Sequence, residues 1–171
     1  MRTWAPRGHT PILRLPFNWK RLSCIGALAV APDLSQVRTF LSFQPGSVDG
    51  PRVVAFLRSL HRHIQAPVLL VWDRLPAHVK RTTQDWIASQ RRWLEVEWLP
   101  PYAPELNPVE YLWNHFEATH LANFVPDDLA QLEAQVRRSV RQVRRKGDLA
   151  SAFLKHSGLY PELYKVLRET Q

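Results

Sequence analysis

Five consecutive apolar residues, Val68-Leu69-Leu70-Val71-Trp72, lie between Pro67 and Asp73, and this run limits the architectures open to the chain more than any other feature. A stretch of strand length without a polar position fits a strand covered on both faces, which requires further layers around it. The preceding sequence supplies one. Val53, Val54, Leu57, Leu60 and Ile64 recur at three and four residues, predicting an amphipathic helix from Pro51 with Arg52, Arg58 and Arg62 turned outward. Downstream, Val79 to Trp93 predicts a helix and Val96-Glu97-Trp98-Leu99 a short strand. This alternation predicts an α/β domain. Open α/β sheets place ligands at the carboxyl ends of their strands, which makes Asp73 the first candidate site residue. A turn-forming Asp that bonds nearby backbone N–H groups would give the same pattern.

On either side the signals change. Thr10 to Leu15, Leu22 to Val30 and Val37 to Phe43 are short apolar runs separated by turn residues, predicting an antiparallel meander. Pro100 to Leu106 is too proline-rich for helix or strand. Asn107-Pro108-Val109-Glu110 then reads as a helix start, with Asn107 as N-cap, Pro108 at the first helical position and Glu110 closing a capping box; that helix is expected to reach about Ala122. A last long helix is expected from near Pro126, with Asp127 and Asp128 at its positive end, an apolar stripe at Leu129, Leu132, Val136, Val140 and Val143, and Gly147 as its stop. Its other face carries Arg137, Arg138, Arg141, Arg144, Arg145 and Lys146.

Charge narrows the function classes. The 171 residues carry 23 Lys and Arg against 15 Asp and Glu, a net charge of +8. The pI near 10.2 favours a polyanionic partner, nucleic acid ahead of a membrane surface. A single cysteine, Cys24, excludes an internal disulfide and a cysteine-based zinc site, and His61 and His63 lack zinc-type spacing to further ligands. No run of about 18 apolar residues marks a membrane span, so a cytoplasmic protein is expected.

Asp73 and Glu110 form the pair with chemical potential. One ends a strand, the other enters a helix after a proline-stiffened loop, and carboxylates so placed suit hard divalent cations such as Mg²⁺. Two such ions about 3.5–4 Å apart would serve an in-line phosphoryl transfer. Capping by Glu110 and turn formation by Asp73 remain the ordinary alternatives.

The segment Leu99-Pro100-Pro101-Tyr102-Ala103-Pro104-Glu105-Leu106-Asn107-Pro108-Val109-Glu110-Tyr111-Leu112-Trp113 closely resembles the signature of the mariner-like transposases, in particular their bacterial insertion-sequence branch. Val71 to His78 resembles the second-aspartate motif of that family, and Arg2 to Gly8 the stretch that follows its first catalytic aspartate. The resemblance implies a ribonuclease-H-like catalytic domain over residues 1–125, a helical extension over 126–171, and DNA cleavage and joining with Mg²⁺ or Mn²⁺. It assigns Asp73 and Glu110 as catalytic metal ligands. As contacts to transposon ends and target DNA it points to Arg7, Arg74, His78, Lys80, Arg81 and Asn107, together with Arg137, Arg138, Arg141, Arg144 and Arg145. The partners implied are DNA and further copies or parts of a transposase, in a bacterial, nucleoid-associated setting.

Three departures stand out. Arg74 replaces a small or amide residue, and Phe116-Glu117 replaces a pair that typically includes lysine. No Asp or Glu precedes Asp33, so the first catalytic aspartate and its strand are not identified, and the chain reads as the C-terminal part of a transposase. Asp33 and Asp49, in a turn and before a helix, are poor substitutes. A DNA-binding remnant without catalysis is the alternative reading.

Overall fold

Alternation along the first hairpin decides how the layers are arranged. The computed structural model describes residues 5–9 and 21–169; the expected strand Thr10–Leu15 lies outside them. Strands β1 (Leu22–Val30) and β2 (Val37–Pro45) pair antiparallel, with Cys24 opposite Phe43, Gly26 opposite Leu41 and Ala27 opposite Phe40. Because side chains alternate faces, this register puts Ile25 and Phe40 on one face and Leu22, Leu28, Leu41 and Phe43 on the other. The first face packs on helix α1 (Gly50–Ile64) through a core that includes Val53, Leu57 and Leu60. The second packs on Leu112, Phe116, Val136, Val140, Val143 and Phe153, which belong to the C-terminal helices and the turn between them.

The turn acids have structural tasks. Asp33 accepts hydrogen bonds from the Ser35 amide and hydroxyl, closing the β1–β2 turn. Asp49 is the N-cap of α1, accepting from the Arg52 amide at 3.0 Å.

Helix α1 also carries the second sheet. Strands β3 (Val68–Trp72) and β4 (Leu94–Trp98) pair in parallel with Trp72 opposite Trp98. Val68, Leu70, Trp72, Leu94, Val96 and Trp98 join the α1 core. Coverage of β3 on both faces, expected from its apolar run, is not found: Leu69 is 54% exposed and Glu95 and Glu97 point to solvent. The second helical layer explains this, since its core draws on β1 and β2 and not on β3 or β4.

The crossover from β3 to β4 corrects a second expectation. In place of one helix over 79–93 there are α2 (Pro76–Val79) and α3 (Arg81–Ala88), separated at Lys80 with ψ 140°. Side chains take the carbonyls that a continuous helix would use: the buried Thr83 hydroxyl donates to the Ala77 carbonyl and Gln84 Nε2 to that of His78.

In the C-terminal half, α4 (Pro108–His115) runs into a π-helical turn over Phe116–His120. Helix α5 (Leu129–Arg145) starts on Asp128, whose side chain accepts from the Gln131 amide. Gly147 is not its stop. The break falls at Lys146, and Gly147 opens α6 (Gly147–His156), with α7 (Leu159–Glu169) following. Among the described residues no helix is long and apolar enough to cross a membrane. Burial pushes the Cys24 thiol up to about 12, so it is not a nucleophile at neutral pH.

Candidate active site

Asp73 is fixed as soon as β3 ends. Its Oδ1 accepts from His78 Nδ1 at 2.8 Å and from the Leu75 amide at 3.1 Å. His78 Nδ1 also lies 3.2 Å from the Asp73 carbonyl oxygen. A carbonyl only accepts, so Nδ1 carries a hydrogen. The imidazole is itself locked, stacked on Trp72 with ring centroids 4.2 Å apart. The His78 hydrogen bond holds the Asp73 carboxyl below the usual carboxylate range, against partial burial and with help from the Leu75 amide. Turn formation and chemical availability therefore coexist: Oδ1 makes the turn, and Oδ2 accepts no hydrogen bond from the described residues.

Glu110 is free of the capping role. The Asn107 side chain caps α4 by accepting from the Val109 amide at 3.1 Å, while the Asn107 amide donates to the Pro104 carbonyl. A capping box would need that amide for Glu110, so no box forms. Glu110 enters the groove that Asp73 also lines, and its carboxyl is held above the usual range, first by burial and then by the negative charges of Asp73 and Glu117. The height of α4 over the sheet is set by Gly26, where a Cβ would stand 2.7 Å from the Trp113 ring. Only glycine lets the indole lie on β1, and that contact seats the helix bearing Glu110.

A raised folded-state pKa means that Glu110's favourable contribution is fully present below its unfolded-state pKa. It is lost as pH rises through the folded value. Replacing Glu110 by Gln is therefore expected to raise the metal-free thermal midpoint at pH 7 by roughly 1–2 °C. The gain disappears near pH 4, where the carboxyl is protonated, and a pH-independent gain would contradict the assigned charge repulsion.

The cationic candidates divide. Arg74 stacks over Trp98 at 5.2 Å and makes no ion pair with Asp73, so the carboxylate is not masked. Trp72 and Trp98 are register partners at the ends of β3 and β4, so the residue after Trp72 lies near the Trp98 ring. Lys80 separates the two crossover helices and is exposed; Arg81 lies 3.5 Å from Asp85. Arg7 is exposed, and Asn107 spends its side-chain oxygen on the cap. On α5, Arg137 is neutralised by Glu133, with Nε 2.9 Å from its carboxylate, a pairing the basic-run reading overlooked. Arg138, Arg141, Arg144 and Arg145 are exposed and make no ion pair among the described residues. Phe116 is buried in the second core and Glu117 stands in solvent, so the lysine-lacking pair adds a negative charge near Glu110 instead of a phosphate contact.

The donor set suits a hard divalent ion: two oxygen ligands of like charge on one groove, one with an unused oxygen and the other destabilised by its neighbour. Among the described residues no third His, Cys, Asp or Glu joins them.

The family model described as DDE superfamily endonuclease matches residues 1–133. Three solved structures of Mos1 transposase resemble the chain. The Mos1 strand transfer complex aligns at 16% identity and TM-score 0.58 over 99% of this chain and 49% of that one. The paired-end complex with the left transposon end gives 18% identity and TM-score 0.58 over 99% and 50%. The Mos1 catalytic domain with raltegravir and Mg gives 19% identity and TM-score 0.55 over 86% and 82%. At these identities the likeness is one of fold, the ribonuclease-H-like fold expected from the motifs. The chain spans about half the length of the first two. No curated protein matches it.

Proposed function

The chain belongs to the DDE superfamily endonucleases, and from that premise we propose that it processes DNA by divalent-metal-dependent cleavage and joining of phosphodiesters at Asp73 and Glu110, as part of a transposase. The observation that carries this reading is that both carboxylates line one groove, with Glu110 free of the helix cap. Glu110 has no cap to satisfy, senses the charge of Asp73, and lines the same groove. Fold likeness to Mos1, seen in complexes with transposon ends and with Mg or Mn, supports DNA as the substrate and Mg²⁺ or Mn²⁺ as the ion. The bacterial insertion-sequence branch and a nucleoid-associated location are part of the proposal.

When bound, the ion would lower the pKa of an attacking water or 3′-hydroxyl and neutralise charge on the leaving oxygen. The chain's own residues prepare that site. His78 holds Asp73 ionised and in one rotamer, with Trp72 stacking to keep the imidazole from turning away. Arg74, stacked on Trp98, leaves Oδ2 open. The unpaired arginines of α5 supply the sequence-independent attraction that nucleic acid binding needs.

Fe²⁺ can replace Mn²⁺ at such sites and, with ascorbate and peroxide, cuts whatever lies beside it. Duplex DNA bound to the wild-type chain is expected to be cut at discrete positions. With Glu110→Gln the discrete cuts vanish while DNA binding persists. Identical patterns from both proteins would overturn the proposal.

A further inference from the structure

A second cleft lies along β2, apart from the acidic pair. It encloses about 690 Å³, and neither Asp73 nor Glu110 lines it. Side-chain alternation builds its two sides. Arg38 and Phe40 stand on the β2 face that packs on α1, and Leu41 on the face toward α5 and α6, so the cleft wraps the strand between the two helical layers.

Cations reach it from separate elements: Arg38 of β2, Arg52 of α1, Arg144 of α5 and Lys146 at the break between α5 and α6. No Asp or Glu shares the lining, and none of these cations makes an ion pair among the described residues. Like charges so gathered repel, and an anion of several charges relieves them. The rest of the wall is different in kind. Phe40, Leu41 and Phe56 make part of it apolar. Arg38 lies over the Phe40 ring at 5.2 Å, and His63 stands steeply to the same ring with centroids 6.0 Å apart. Gln44 Nε2 is buried and has no hydrogen-bond partner among the described residues. His63 spends Nδ1 on the Ser59 carbonyl at 2.7 Å, which leaves Nε2 for a ligand.

We propose that this cleft binds a nucleoside phosphate, with the base against Phe40 and a short chain of phosphates between Arg38, Arg52, Arg144 and Lys146. The mixed wall selects this class. A bare anion would leave the apolar part and Gln44 unused. So would the backbone of duplex DNA, whose bases stay stacked inside the helix. An acidic peptide brings one charge per side chain, whereas a phosphate monoester carries up to about two, so linked phosphates match these cations within one cavity. A flat base then covers Phe40 and offers acceptors to the Gln44 amide. Two sources carry this chemistry: a free nucleoside triphosphate and the 5′-phosphorylated end of an unpaired strand. The inference draws on nothing at Asp73 and Glu110, and its test is run in EDTA.

The full chain is titrated calorimetrically with ATP, adenosine and inorganic tripolyphosphate. ATP is expected to bind at least about tenfold more tightly than either part, because stacking and charge both contribute. Arg38→Gln and Lys146→Gln, at exposed positions that keep the fold, each weaken ATP binding about tenfold. Arg62→Gln, exposed on α1 and outside the cleft, leaves it unchanged. Phe40→Leu weakens ATP about tenfold and leaves tripolyphosphate unaffected, with the thermal midpoint reporting that the chain is folded. Backbone amide signals of Val37–Pro45 and of residues 143–150 shift as ATP is added. Competition identifies the source. A 5′-phosphorylated single strand that displaces ATP, when its unphosphorylated form does not, marks a strand end; failure of both to displace it marks a free nucleotide. Equal affinity for ATP and tripolyphosphate reduces the cleft to a general anion surface and overturns the proposal. No ATP binding, or shifts centred on Asp73 to His78, also overturns it. Each of these failures leaves Mn²⁺ binding by Asp73 and Glu110 standing.

Discussion

In the Asp73→Asn variant, Mn²⁺ is expected to lose its effect on the thermal midpoint. For the wild-type chain at Mn²⁺ about 100 times its dissociation constant, linkage gives a stabilisation of about 2.7 kcal/mol. For a chain of this size that is a rise of roughly 5–10 °C. The variant removes it through a specific atom. His78 and the Leu75 amide both donate to Oδ1, so an asparagine places its only oxygen there and turns its amide nitrogen, a donor without a free lone pair, to where Oδ2 stood. The pocket keeps its shape and loses its ligand. A shift retained in Asp73→Asn would show that the ion binds elsewhere. Metal-free stability also falls on the acid side of the profile. A carboxyl held low in the folded state stabilises above its unfolded pKa, and that contribution fades as pH drops through the folded value.

Leu112→Ala is expected to be the most damaging single truncation outside the site. The side chain is fully buried, among Phe116, Val136, Val140, Val143 and Phe153. Truncation leaves a cavity in the core that holds α4 against α5 and α6, a loss of about 2–5 kcal/mol and roughly 5–15 °C in midpoint. The effect reaches function through geometry: Glu110 lies two residues earlier on α4, and Trp113 holds the helix to Gly26. Mn²⁺ affinity should fall along with stability. Leu69→Ala, at a position more than half exposed, is the matched control and should stay within about 0.5 kcal/mol of wild type. A loss below about 1 kcal/mol for Leu112→Ala would mean that the second core is not what positions Glu110.

Periodicity made the elements legible. The spacing of Val53, Leu57 and Leu60 fixed α1, and the Asn107-Pro108 pair fixed the start of α4, because those signals depend on local geometry alone. What failed was non-local. The run Val68–Trp72 looked covered on both faces, but whether a second layer extends beneath β3 depends on where α4 to α6 settle, which no strand records in its own sequence. The break at Lys80 depends on Thr83 reaching back to Ala77, and propensity along 79–93 does not see that bond. Residue type alone makes Gly147 a helix stop, although a glycine serves equally at the start of the next helix.

The local ties of the two candidate carboxylates were legible for a different reason. Asp73 and Glu110 stand in motifs whose residues have local tasks: Leu75 and His78 tie down Asp73, and Asn107 takes the cap that would otherwise occupy Glu110. Sequence left two readings of Glu110, and the Asn107 amide donating to Pro104 removes the capping box without assigning Glu110 a ligand role. Pairing of Arg137 with Glu133, one turn apart, lies outside the basic run itself, because the acid precedes it.

One divalent ion held between Asp73 and Glu110 is the central expectation. Paramagnetic broadening of backbone amide signals by substoichiometric Mn²⁺ reads that position directly. Signals from Asp73 to His78 and from Asn107 to Leu112 are predicted to vanish first and together, and to persist in Glu110→Gln. Broadening of only one of these segments, or of a patch elsewhere on the chain, would contradict it.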